Sequence, residues 1–207
     1  MKTRIAGCRP LAPHTPLEWQ ATARARRVIT YEAVGHGHLG SLPTPDHLEE
    51  PYVDAIALLK ADHEKVKKLL AELETTTDRG VKTRTELFAT IKGELTVHEI
   101  IEEEIFYPEL KAHPKGRDIV LEGYEEHHVV DVLMNELERM DVTDERWGAK
   151  AIVMKENIEH HIEEEEGEMF AKAHQVFDRA ELLELGERMA ARKLSAQTEL
   201  NIPVTAH

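Results

Sequence analysis

The sequence predicts an all-α fold: an up-down-up-down antiparallel four-helix bundle with an internal two-fold repeat, a short extra C-terminal helix and an irregular N-terminal arm. Three observations carry that prediction. First, residues 61–74 align without a gap on residues 125–138, with His63 on His127, Val66 on Val130 and Leu73 on Leu137. Each copy is followed by a second helix carrying a histidine and a pair of glutamates, His98, Glu102 and Glu103 in the first and His161, Glu165 and Glu166 in the second. The intervals nearly coincide, 35 residues from His63 to His98 and 34 from His127 to His161. Second, from Pro51 onward apolar residues recur at three- and four-residue steps, the signature of amphipathic helices. Third, 32% of residues are charged and only 5% aromatic, which suits long amphipathic helices better than a sheet.

Residues 1–50 read as an irregular arm, because Pro10, Pro13, Pro16, Pro43, Pro45, Gly35, Gly37 and Gly40 interrupt any helical period. Pro51 suits the first turn of a helix, where its missing N–H costs nothing. That helix runs to about Glu74 with Ile56, Leu59, His63, Val66, Leu70 and Leu73 on one stripe. A loop over 75–80 follows. Thr83 and Glu86 have capping-box spacing and open the second helix, which carries Leu87, Ile91, Leu95, His98, Glu102 and Ile105 and ends near His113-Pro114. The third helix spans about Asp118 to Met140, and 141–144 connects it to a fourth over about Glu145 to Gln175. Asp178 and Glu181 form another capping box, opening a short helix to about Lys193. Short connections between long helices make antiparallel neighbours. The expected organisation is an arm over 1–50, a bundle over 51–176, and a short helix and tail over 177–207.

Composition excludes several function classes. The net charge is −14, and it falls almost wholly on the residues after the arm, an acidic surface that repels phosphate backbones and argues against nucleic acid. The single cysteine, Cys8, permits neither an internal disulfide nor a thiolate metal cluster. No apolar run is long enough to span a bilayer, and the N-terminus lacks a signal-peptide core, so a cytoplasmic protein with no membrane partner is expected. A metalloprotease His-Glu-x-x-His fails because Glu102 stands where the second histidine belongs. The ferritin-like Glu-x-x-His spacing occurs only at Glu125 and His128, where two copies are needed.

The histidines sit on the stripes that must be buried. His63 precedes Val66, Leu70 and Leu73 at the same steps by which His127 precedes Val130, Met134 and Leu137. Glu102 and Glu165 lie one turn after His98 and His161, on the same helix faces. An ionised carboxylate in a bundle core is costly unless a cation or full hydrogen bonding compensates it. Two of them among four imidazoles make a metal site the cheapest explanation. Imidazole and carboxylate without sulfur suit iron, manganese or zinc. Ligand counting favours a di-iron pair with an oxo or hydroxo bridge and an openable position, with Glu99 and Asp131 as candidates for a further ligand. His128, His160, Glu163, Glu164 and Glu166 read as outward-facing. Tyr107 and Phe170, at matching places, close the hydrophobic end of the cluster.

In order and spacing, His63, His98-Glu99-x-x-Glu102, Glu126-His127 and His161-x-x-x-Glu165 resemble the hemerythrin-like (HHE cation-binding) domain family over residues 51–176, or to Lys193 with the last helix. The resemblance implies a non-haem di-iron centre and chemistry with oxygen, nitric oxide, peroxide or iron. Oxygen carriers of that family have a second histidine one turn after the third-helix histidine, where this chain has Asp131. The expected function is therefore a module that binds or senses a small oxygen or nitrogen species or iron, or else a di-iron enzyme decomposing peroxide or nitric oxide.

Overall fold

Asp54 starts the first helix, its carboxylate Oδ1 accepting from the Ala57 N–H at 2.8 Å. In the computed structural model, which describes residues 53–202, this helix is α1 (Ala55–Glu74). Pro51 and the arm over 1–50 lie outside the described residues. The second rod is α2 (Val81–Ile101), a π-helical turn π1 (Glu102–Phe106) and α3 (Tyr107–Lys111). Next come α4 (Arg117–Arg139), α5 (Glu145–Glu164), a second π turn π2 (Glu165–Met169), α6 (Phe170–Val176) and α7 (Arg179–Glu199). No strand occurs among the described residues.

Two element boundaries differ from expectation. Helix α2 begins at Val81 with Gly80 at its N-cap and no side-chain cap, so Thr83 is an interior residue and forms no capping box. The earlier start places buried Arg84 in the first turn, where its guanidinium donates to Thr76 Oγ1 at 3.0 Å and to the Val142 carbonyl at 3.2 Å. One cation thus ties together two interhelical loops. The capping box at Asp178 and Glu181 is present, but the helix it opens is 21 residues long rather than short. Ala196 and Gln197, beyond the expected end at Lys193, are buried.

Helix α1 packs on α2, α5 and α7; α4 packs on α5; and α7 also covers α2 and π1. The apolar core divides into two clusters. One holds Leu59, Ile101, Phe106, Tyr107, Val120, Met169, Phe170 and Met189. The other holds Val66, Leu70, Ile91, Leu95, Val130, Met134, Trp147, Met154 and Ile158. On every long rod the histidine stands at the changeover: His63 between Leu59 and Val66, His98 between Leu95 and Ile101, His127 between Val120 and Val130, His161 between Ile158 and Met169. A polar layer therefore separates the two halves of the core. Among the described residues no helix is long and apolar enough to cross a membrane.

Candidate metal centre

Each π turn opens at a glutamate of that layer, π1 at Glu102 and π2 at Glu165. In both, the first, fifth and following residues are buried, Glu102, Phe106 and Tyr107 in one and Glu165, Met169 and Phe170 in the other. An i→i+5 turn slips the helix by one residue, so that two successive aromatic or apolar side chains can follow an inward glutamate; such turns concentrate at functional sites. Pro108, which has no N–H to return to the preceding turn, favours the slip at π1. No proline follows π2, so proline is not the shared cause.

Six polar side chains converge from the four rods. His63, His98, Glu102 and Glu165 form one group of potential ligands, and Glu102, His127 and His161 form another, all of them buried. Glu102 Oε2 lies 3.3 Å from both His98 Nε2 and His127 Nε2. Glu165 Oε2 lies 3.1 Å from His63 Nε2 and 3.6 Å from His161 Nε2. Each carboxylate thus stands between a histidine of its own half and one of the other half. Both oxygens of Glu102, Oε2 of Glu165 and the Nε2 atoms of His63 and His98 are buried without a hydrogen-bond partner. Orphaned buried polar atoms are rare, and here they cluster and face one another. His127 Nε2 and His161 Nε2 approach to 3.2 Å. Those donor types and that convergence fit a cation pair.

The opposite edge of every imidazole meets a carboxylate. His63 Nδ1 is 3.0 Å from Glu166, His127 Nδ1 2.9 Å from Glu103 and His161 Nδ1 2.7 Å from Glu126. His98 Nδ1 faces Asp62 Oδ2 at 3.7 Å, a charge contact beyond hydrogen-bond length, and neither atom has a hydrogen-bond partner. An Nδ1–H donated outward leaves the Nε2 lone pair pointing inward, the arrangement by which metal-binding histidines are oriented and made more basic. The pattern obeys the repeat: Asp62 and Glu126 serve the histidine within their own half, and Glu103 and Glu166 serve the histidine of the other half.

Aromatic rings close one side. Tyr107 stacks on His127 with centroids 5.4 Å apart, and its counterpart Phe170 stacks on His63 at 5.9 Å. The substitution breaks the symmetry, because the Tyr107 hydroxyl donates to Glu165 Oε1 at 2.8 Å. On the other side a cavity of about 20 Å³ is bounded by the four imidazoles, Glu99 and the apolar chains of Val66, Leu95, Val130, Ile158 and Ile162.

Without metal, protons take up the unbalanced charge. Burial pushes the Glu102 carboxyl well above its usual range, and the charge of Glu165 adds to the shift. Burial of Glu165 is outweighed by His161, His63 and His98, which hold it well below that range. Burial lowers His127, but Glu102 and Glu103 outweigh it and raise the imidazole to about 11. Burial brings His98 down to about 4 and pushes Glu99 up to about 8, where Asp131 and Glu103 add repulsion.

These shifts predict a pH response. Above pH 6.5 Glu165, held low, has lost its proton in both folded and unfolded chains, and the unfolded His98 is giving up the last of its protons, a smaller opposing effect that fades as pH rises. Glu99 and His127, raised to about 8 and about 11, still hold protons in the folded state that the unfolded chain is releasing, and the upward shift of Glu102 acts in the same direction. The folded state then binds more protons, so stability falls as pH rises. The metal-free protein should show a falling melting temperature from pH 6.5 to 8, and Zn(II) affinity should rise over the same window as the ion displaces those protons. A flat melting curve together with pH-independent binding would contradict this.

The Hemerythrin HHE cation binding domain family model matches residues 54–173. The chain belongs to that family. A crystal structure of a hemerythrin HHE cation binding domain-containing protein from Mycobacterium kansasii is similar, with 30% identity and a TM-score of 0.64 over 71% of this chain and 89% of the other. No curated protein matches. As a hemerythrin HHE domain, the chain is a cation-binding protein of helical-bundle type.

Of the residues singled out in the sequence, His63, His98, Glu102, His127, His161 and Glu165 come together. Glu99 belongs to neither ligand group and borders the cavity instead. Asp131, His128 and His160 are exposed. Glu166, read as part of a solvated face, is a correction: it is half-buried against His63 and is also held by Lys67 Nζ at 3.2 Å. The orienting roles of Asp62, Glu103 and Glu126 were not read from the sequence. Their signal was present, since each adjoins a candidate ligand at equivalent places in the two copies.

Proposed function

We propose that this hemerythrin HHE domain is a non-haem di-iron protein that binds or senses a small oxygen or nitrogen species, such as O2 or NO. His63, His98, Glu102, His127, His161 and Glu165 would hold the metal, with Glu102 and Glu165 each placed between histidines of both halves. When bound, a ferrous pair supplies electrons and open coordination to such a molecule. The order in which the rods pass between the two core clusters supports an up-down-up-down antiparallel four-helix arrangement around that pair, with α7 appended.

The observation that carries the reading is the cavity beside the imidazoles. Its volume of about 20 Å³ accepts one water-sized or diatomic molecule and no organic substrate. Val66, Leu95, Val130, Ile158 and Ile162 keep it dry. Tyr107 holds Glu165 in place, and the outer carboxylates turn the imidazoles so that each Nε2 points inward. Glu99, pushed up to about 8, carries a proton at the cavity edge at neutral pH. Asp131, being exposed, supplies no ligand where oxygen carriers have a second histidine, so the openable position stays with the exogenous molecule.

A second reading, a di-iron enzyme decomposing peroxide or nitric oxide, is favoured by Glu99, which places a proton where a bound oxygen species needs one. Metal content and the optical spectrum of the purified protein test the di-iron assignment, and fewer than two irons per chain after anaerobic loading would overturn it. Steady-state oxygen evolution from peroxide, set against a persistent gas-bound spectrum, separates the two readings.

A further inference from the structure

Asp62 differs from the three other carboxylates that hold a ligand histidine. It is 6% exposed, where Glu126, Glu166 and Glu103 are 21%, 29% and 42% exposed. A carboxylate that deep is costly unless a cation accompanies it. The cation comes from α7: Lys193 Nζ ion-pairs with Asp62 Oδ1, leaving Oδ2, which has no hydrogen-bond partner, to face His98 Nδ1 across 3.7 Å. The α7 helix begins at Arg179, after the segment that matches the family ends at residue 173.

Helix α7 is set down on the bundle at several points. A Cβ on Gly186 would come within 2.3 Å of the Val53 carbonyl oxygen, so only glycine permits the backbone contact that seats its first half. Farther on, Met189 and Ala196 are buried, Arg188 pairs with Glu109, and Arg192 makes a two-pronged pair with Glu104 on π1. Lys193 follows directly and is 14% exposed. Its ammonium is therefore delivered to Asp62 by a docked helix rather than by a free surface chain.

Resting on the di-iron reading above, we infer that Lys193 is a positioning residue of the metal centre, acting through Asp62 on His98, so that α7 is part of the site rather than an appendage. Lys193 fixes one carboxylate oxygen and so aims the other at the imidazole. With the cation gone, Asp62 is left as an uncompensated buried carboxylate with nothing fixing its rotamer, and it no longer holds the His98 ring in orientation. The His63 side is built the same way with a cation from within the matched segment, Lys67 on Glu166.

The test is Zn(II) binding to the full chain, measured by competition with a chromophoric chelator, for the parent, Lys193→Met, Lys193→Arg, Asp62→Asn, the Lys193→Met/Asp62→Asn double variant and Arg188→Met. Loss of such an outer partner weakens metal binding by about 10–100-fold. Lys193→Met should show a loss of that order in at least one equivalent, and Lys193→Arg should recover most of it. In the Asp62→Asn background the lysine substitution should add nothing, because the residue it acts through is gone. Removing charge and counter-charge together also guards against a fold-breaking single variant. Arg188→Met, which loosens α7 without touching Asp62, should lower the melting temperature and leave affinity unchanged. Co(II) absorption bands should shift in Lys193→Met and not in Arg188→Met. Parent-like binding by Lys193→Met, or equal weakening by Arg188→Met, overturns the inference while the metal site stands. A parent that takes up no ion brings down the site and the inference together.

Discussion

Adding Fe(II) anaerobically to the metal-free protein is expected to raise its melting temperature by about 15–30 °C. Two sites each held near a thousand times their Kd contribute about 8 kcal/mol, and a domain of this size gains about 2–4 °C per kcal/mol. The size of the effect follows from what the ions replace. Glu102 has neither oxygen hydrogen-bonded, and Glu165 Oε2, His63 Nε2 and His98 Nε2 are equally orphaned at the junction of the two apolar clusters. Metal ions there would satisfy these atoms together and turn a cluster of unpaired polar groups into a fastening of the core. A melting temperature unmoved by saturating Fe(II) or Zn(II) would rule out a metal site in the core.

Glu102→Gln should move stability in opposite directions in the two forms. Without metal, the change replaces a fully buried carboxyl, which burial and the charge of Glu165 force toward its protonated form, with a neutral amide that needs no proton uptake, so stability at neutral pH should rise. With metal, it removes the one carboxylate shared by the two ligand groups. Metal uptake should fall from two ions per chain to one or fewer, and most of the metal-induced stabilisation should go with it. Melting curves of both forms, with metal analysis alongside, check the pair of effects. A variant that still takes two ions as tightly as the parent refutes that shared role, and a metal-free variant less stable than its parent refutes the account of the core.

The inner ligands were legible because burial follows the helical period. His63, His127 and their successors lie on stripes that a bundle must turn inward, and the repeat supplied the pairing. The outer carboxylates were not, for a geometric reason. Asp62, Glu103, Glu126 and Glu166 each sit one residue from an inward group, about a quarter-turn off the apolar stripe, where a charged side chain ordinarily meets water. Only the packing of one rod against another turns Glu166 toward His63 and Glu103 toward His127. The π turns escaped for the complementary reason: a 3.6-residue period carries no mark of a one-residue slip, and Phe106-Tyr107 and Met169-Phe170 show it only as adjacent buried pairs. The misplaced start of α2 came from reading Thr83 and Glu86 locally, whereas Arg84 reaches across two loops and sets the boundary from a distance. Nor did anything in the sequence of α7 tie Lys193 to Asp62, since the partners are 131 residues apart.

The criss-cross of the polar layer bears on how such a protein could arise. Each half of the chain brings two histidines and an inward glutamate, yet each glutamate also faces a histidine of the other half, and each half orients one histidine belonging to its twin. A single helical hairpin would own every residue type the centre requires and still be unable to assemble it alone. Two identical hairpins meeting across a two-fold axis would complete it at once, with the axis running through the polar layer. Gene fusion of such a self-pairing hairpin would then free the halves to diverge, and the exchange of Tyr107 for Phe170 is where that divergence reaches the metals' immediate surroundings.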